Sequence, residues 1–194
     1  MKTWFTSDWH LGEDRIGING KPNLFYRPFS AIPEQNRTIT REFIGSGFED
    51  GDELWHLGDV LQLPSSVALT DFGRIKDAFD ELQLVRDTFP KSKFNLIIGN
   101  YDEDKMDILE NYFDTLQKSW LVDIKDREYY LNHYPVNCEN KEWSLTAHVH
   151  SLWKVRRNMI NVGVDAWHFR PIDEDTIDFC RTACEKHYDQ NVFI

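Results

Sequence analysis

Apolar and polar positions along this chain follow two periods in turn, first alternating strand and helix, then mostly strand. Lys2 to Thr6 is rich in β-forming residues (Thr3, Trp4, Phe5, Thr6) and stops at Ser7-Asp8, which predicts a short strand. Leu11 to Ser30 carries Gly12, Gly17, Gly20, Pro22 and Pro28, so it reads as a long loop and a candidate substrate-facing insert. From Pro33 to Ile44 the residues Ile39, Phe43 and Ile44 mark one face of a helix that Gly45 ends. Glu53 to Leu57 predicts a second strand, broken by Gly58-Asp59. Helical spacing then runs from about Thr70 to Thr88 through Phe72, Ile75, Phe79, Leu82 and Val85, with Pro90 just beyond. Phe94 to Ile98 has the apolar character of a central parallel strand, and Asp104 to Tyr112 reads as a short helix.

After that the character changes. Leu116 to Ile124, Glu128 to Asn132, Trp143 to Ala147 and Met159 to Val164 predict successive strands joined by tight turns such as Lys125-Asp126, and an acidic-led helix from about Asp173 to His187 closes the chain. This order predicts an α/β fold in which a sheet, or a pair of sheets, is covered by helices. No repeat, low-complexity segment or linker interrupts it. With 194 residues and 41% hydrophobic content, residues 1–194 are expected to bury one core as a single domain.

The bulk properties narrow the function classes. An aromatic fraction of 14% argues against disorder. The Met1-Lys2-Thr3-Trp4 start lacks the apolar region of a signal peptide, and no stretch approaches a membrane span, so a soluble cytoplasmic protein with no membrane partner is expected. A net charge of −11 disfavours a protein that tracks long nucleic acid, while leaving room for a small phosphorylated substrate whose local field bound cations would reverse. Cys138, Cys180 and Cys184 form no metal-binding spacing and read as free, buried or half-buried thiols.

The chemistry is concentrated in five short phrases: Asp8-Trp9-His10, Gly58-Asp59, Gly99-Asn100-Tyr101-Asp102, Leu131-Asn132-His133-Tyr134 and His148-Val149-His150. Each falls at or just past a predicted strand end, where ligands gather in open α/β sheets. Asp8 and His10, like His148 and His150, stand two apart; in an extended backbone each pair would face one cavity. Asp59 and Asn100 follow glycines that let the backbone turn sharply and approach an ion. Taken singly these phrases are ordinary turns or surface residues; in conjunction they supply donors for two adjacent divalent ions. Carboxylate, imidazole and amide oxygen suit manganese above all, with iron, zinc or nickel as alternatives. His56, His168 and His187 lack such partners and read as ordinary surface or core histidines.

This ordered set resembles the signature of the calcineurin-like metallophosphoesterases. Arg27-Pro28-Phe29, Leu131-Asn132-His133-Tyr134-Pro135 and Asn161-Val162-Gly163-Val164-Asp165 are similar to a compact bacterial and phage branch, and the likeness covers essentially the whole chain. The resemblance implies a four-layer α/β/β/α sandwich of two mixed sheets. It also implies a dinuclear centre: Asp8, His10 and His150 on one ion, Asn100, His133 and His148 on the other, and Asp59 bridging. It implies hydrolysis of a phosphate ester by a metal-activated hydroxide attacking in line.

The chain departs from that pattern at Tyr101, where the family places a histidine that assists the leaving oxygen. Tyrosine, with an ordinary pKa of about 10, is a poorer proton donor at neutral pH, although its hydroxyl still donates a hydrogen bond. The exchange favours phosphodiesters, such as small or cyclic nucleotides, over alkyl monoesters; neutral drift at this position is the alternative. Asp102 is expected to support the ligands from behind or to cap a helix. Arg15, Arg27 and Arg157 are candidate phosphate grips, and Trp9, Phe25 and Tyr26 either stack on a base or pack locally. Glu13 stands where the related branch often has another histidine. Competing readings are a phosphomonoesterase or protein phosphatase, a nuclease, and a scaffold that has lost its chemistry.

Overall fold

Trp4 and Phe5, neighbours in the first strand, are both buried but on opposite sides, and that alternation organises the molecule. The computed structural model describes residues 1–13, 27–63 and 72–187. Strands β1 (Thr3–Thr6), β2 (Glu53–His56), β3 (Lys93–Ile97) and β4 (Thr115–Gln117) run parallel, and the two-residue β10 (Ile172–Asp173) pairs antiparallel with the outer side of β1. The sheet order is β10-β1-β2-β3-β4. A second mixed sheet, in the order β5-β6-β7-β9-β8, is built from β5 (Trp120–Ile124), β6 (Arg127–Leu131), β7 (Ser144–Thr146), β8 (Val155–Arg156) and β9 (Met159–Asn161). Within it, β6, β7 and β9 are parallel.

Trp4, Leu54, Phe94 and Leu96 join the apolar faces of α1 (Ile32–Ile44) and α2 (Phe72–Thr88), where Ile39, Phe43, Ala78, Leu82 and Val85 are buried. On the reverse face Phe5, Trp55 and Ile97 meet Tyr129, Leu131, Leu145 and Ile160 of the second sheet, together with Ile177 of α4 (Glu174–His187). The first sheet is thus buried on both faces, which explains the apolar reading of its strands. Each fully buried Leu, Ile, Val or Phe among them is worth about 1.5–3 kcal/mol of transfer free energy. The expected α/β class with two mixed sheets and covering helices is what forms.

Local differences from the sequence reading have physical causes. Leu116 to Ile124 is two strands in two sheets, because the polar pair Lys118-Ser119 carries the chain across from β4 to β5. The helix expected from Asp104 to Tyr112 shrinks to α3 (Met106–Leu109), where the Asn111 amide donates to the carbonyls of Asp107 and Ile108 and ends it. The two-residue strands β8 and β10 are too short to leave a periodic signal. Lys125-Asp126 makes the expected tight turn with φ of 50° and 62°.

Candidate metal centre

All the ligand phrases follow the C-terminal ends of parallel strands, from both sheets. Asp8 and His10 come after β1, Asp59 after β2, Asn100 after β3, His133 after β6, and His148 and His150 after β7. The loops are tied together by main-chain bonds: Asp8 N–H to the Gly58 carbonyl, His10 N–H to the Asp59 carbonyl, and Val164 N–H to the Ser7 carbonyl, at 3.0, 3.0 and 3.1 Å. The last of these joins the two sheets at the site.

Two donor groups result. Asp8, His10 and His150 present ligand atoms within 4.8 Å of one another, and so do Asp59, His133 and His148. Asp59 lies between the groups, its Oδ2 standing 3.6 Å from His10 Nε2 and 3.4 Å from His133 Nε2. His133 Nε2 is 3.2 Å from His148 Nδ1, and the His148 N–H donates to the Asp8 carboxylate at 3.3 Å. Around Asp59 the chain wraps closely: Tyr101 N–H donates to its Oδ1 at 2.9 Å, and a Cβ on Gly99 would collide with that same carboxylate. Asn100, exposed to solvent, sits between those two contacts.

Contrary to the sequence expectation, the paired donors do not stand on extended backbone. Asp8, His10, Asp59, His148 and His150 have φ of 58°, 47°, 58°, 70° and 48°, all left-handed. A non-glycine residue there is held against a cost of about 1–2 kcal/mol, and such strain gathers at functional sites. Turning the chain this way sends His148 and His150 to different groups instead of one pleated face.

Burial sets the protonation pattern. Desolvation pushes the Asp8 carboxyl up to about 6 and His10 well below its ordinary value. Burial also opposes charge on Asp59, but the hydrogen bond and charge of His133 outweigh it and hold that carboxyl at about 2. Reciprocally, burial would lower His133, yet Asp59 and Asp8 raise it to about 9. Imidazole orientation is fixed from behind: His133 Nδ1–H donates to the Leu57 carbonyl at 2.7 Å, and His150 Nδ1–H to Asp165 Oδ2 at 2.7 Å. That turns Nε2 of His133 toward Asp59 and leaves Nε2 of His150 on the side away from Asp165. Buried carboxylates beside inward-turned imidazoles are a donor set that fits divalent cations.

Asp102 supports the centre from below, its carboxylate accepting the N–H groups of Asp59, Gly99 and Val60 at 2.7, 2.9 and 3.0 Å. Tyr101 is half-buried with its ring 5.1 Å from that of His10. Arg27 is not a free phosphate grip: its buried guanidinium forks onto Asp165 at 2.8 and 2.9 Å and donates to the carbonyls of Trp9 and Asp8. Trp9 is a core residue, packed against Phe43 and His56 with its Nε1–H on Thr6 Oγ1. Arg157 is exposed in the turn between β8 and β9, and among the described residues no hydrogen bond or ion pair ties it to either group. Arg15, Phe25 and Tyr26 lie outside the described residues, and Glu13 is buried. His56 is a buried core histidine, lowered by desolvation to about 3. Cys138 is buried and Cys180 and Cys184 are half-buried, all free thiols.

Two residues escaped the sequence reading. Asp165 stands in a phrase that the family resemblance picked out, Asn161 to Asp165, but nothing in the spacing revealed its partner in Arg27. Tyr134 brings its ring within 4.9 Å of His133 and 5.1 Å of His148, a contact hinted at only by its place next to a ligand.

No family model matches the chain, and no curated protein does. Among solved structures, a protein of unknown function from Aquifex aeolicus, AQ665, overlays with a TM-score of 0.62 at 21% identity, spanning 92% of this chain and 98% of that one. At that identity the likeness is one of fold. The nuclease MPE of Pseudomonas putida overlays with a TM-score of 0.49 at 17% identity, over 76% of this chain and 60% of that one. The E. coli phosphoesterase Yfce does so at 0.48 and 20%, over 84% and 78%. Both overlays are too loose to bear on what this chain does. Among the described residues no helix is long and apolar enough to cross a membrane.

Proposed function

We propose that this protein is a phosphoesterase dependent on two divalent metal ions, with manganese as the native metal, and that it hydrolyses a phosphodiester of a small or cyclic nucleotide. One observation carries the reading: two three-ligand groups share a wall, with Asp59 Oδ2 3.6 Å from His10 Nε2 and 3.4 Å from His133 Nε2. Asp8, His10 and His150 would hold one ion and Asn100, His133 and His148 the other, with Asp59 common to both. Such a pair, when bound, polarises a phosphoryl oxygen and makes water a usable nucleophile near neutral pH.

The protein's own groups do the rest. Asp59 is kept anionic by His133 and by the Tyr101 N–H, so it is available to both sides at neutral pH. Asp102 fixes the loops that carry Asp59 and Asn100, which holds the ligand spacing before substrate arrives. Tyr101 sets its ring edge-on to that of His10, 5.1 Å away, and in this reading its hydroxyl would donate to the leaving oxygen. A phenol donates a hydrogen bond without readily giving up its proton, which suits a diester or an acidic leaving group better than an alkoxide. Substrate is a small phosphorylated molecule in this reading, since the net charge of −11 opposes long nucleic acid.

Manganese-loaded protein assayed on bis-p-nitrophenyl phosphate, cyclic nucleotides, dinucleotides and phosphomonoesters tests the reading. Hydrolysis of diesters, abolished by Asp59→Asn, is the expected result. Bound metal with no turnover on any ester refutes catalysis and favours the scaffold. Tyr101→His is expected to move activity toward alkyl monoesters; a diester-to-monoester ratio unchanged by the swap defeats the assignment of Tyr101.

A further inference from the structure

Arg27 and Asp165 lie 138 residues apart, have buried side chains, and connect the two chain segments that build one metal group. We propose that they form a strut whose job is to position the Asp8, His10 and His150 ligands, an inference that rests on the metal-centre reading above.

The connections are specific. Asp165 takes the His150 Nδ1–H at 2.7 Å on Oδ2, the oxygen that also receives Arg27 Nη2 at 2.9 Å; its Oδ1 receives Arg27 Nε at 2.8 Å. The carboxylate therefore has a fixed plane, and the imidazole on it has one tautomer and one rotation. From the same guanidinium, Nη1 reaches the Trp9 carbonyl at 3.0 Å and Nη2 the Asp8 carbonyl. Asp8 and His10, on either side of Trp9, are both in left-handed conformations, so their loop needs outside contacts to hold its shape. Arg27 supplies those contacts and at the same time fixes the residue that aims His150. Only a planar fork can serve a carboxylate and two carbonyls together; a lysine keeps the charge and loses the geometry.

The other group has separate supports. His133 leans on the Leu57 carbonyl, and Asp59 and the Gly99 turn are held by Asp102. Damage to the strut is therefore expected at one ion only.

The test is Mn2+ titration of chelator-stripped full-length protein by calorimetry and equilibrium dialysis, for wild type, Arg27→Lys, Asp165→Asn and the double variant. Wild type is expected to bind two ions. Each variant is expected to keep one ion at wild-type affinity and to bind the other 10- to 100-fold more weakly, the double variant being no worse than the singles. Two ions at wild-type affinity in the variants overturn the strut. So does an equal loss of both ions with a lowered melting temperature of stripped protein, the mark of a merely structural pair. If Asp165→Asn does not fold, Arg27→Lys still decides. Imidazole 15N spectra of stripped wild type add a readout that needs no variant: His150 is expected as the Nδ1–H tautomer, and the Nε2–H tautomer contradicts the proposal. Failure of the function reading looks different: wild type and variants bind as described, and none hydrolyses an ester.

Discussion

Gly163 offers a sharp test of where Asp8 sits. Its φ and ψ of −60° and 137° are open to any residue, so Gly163→Ala carries no backbone strain. A Cβ there would stand 2.5 Å from Asp8 Oδ2 and 3.0 Å from Asn161 Oδ1. Neither neighbour yields easily. Asn161 donates to the His150 and Trp153 carbonyls at 2.7 Å each and accepts the Gly163 N–H at 2.9 Å, while Asp8 receives the His148 N–H. Loss of unfolded-chain entropy would stabilise the alanine variant by about 0.4–1 kcal/mol, and overpacking costs about 1–3 kcal/mol, so a net loss of roughly 1–2 kcal/mol is expected. For a chain of this length that is about 2–8 °C in Tm. Gly73→Ala is the control, because a Cβ at Gly73 meets nothing within 4 Å and the residue lies in α2, where alanine should raise Tm. Thermal melts of stripped protein and Mn2+ stoichiometry are the assays. The alanine at 163 should also displace Asp8 and weaken one ion; a Tm at or above wild type with both ions retained refutes the placement of Asp8.

Other consequences follow from the supports. Asp102→Ala leaves three buried N–H groups without an acceptor, at about 1–3 kcal/mol each, partly offset by removing a carboxyl that burial pushes up to about 6, so a loss of about 3 kcal/mol by urea melts is expected. A Cm equal to wild type would contradict it. Asp52 is a pH probe remote from the metal groups: burial would raise its pKa, but the N–H groups of Lys2 and Glu49 and the Trp4 Nε1–H lower it on balance. A depressed carboxylate stabilises the fold above its unfolded value of about 3.9 and loses that contribution as pH falls through the lower folded value. Wild type should therefore lose more Tm than Asp52→Asn on acidification below about pH 4; parallel curves would contradict the assignment.

Much of the fold was legible because its signals are local. The apolar face of α1, the β-rich runs of β1 to β3 and the glycines before Asp59 and Asn100 announce themselves within a few residues. What stayed hidden depends on partners far along the chain. The Leu116 to Ile124 run gives no sign that it changes sheets, and the two-residue β10 exists only because β1 offers it a free edge. The residues of the two donor groups could be named, but their left-handed backbones could not: Asp and His are enriched at positive φ, yet they are far commoner in ordinary conformations. Arg27 looked like a phosphate grip because a lone arginine in a loop says nothing of an aspartate 138 residues away.

In the proposed function these loops enclose two cations side by side. Crystals soaked in Mn2+ and measured at the manganese edge should show two anomalous peaks about 3.5–4 Å apart, one on each side of the Asp59 carboxylate. A single peak, or peaks away from Asp59, would contradict it.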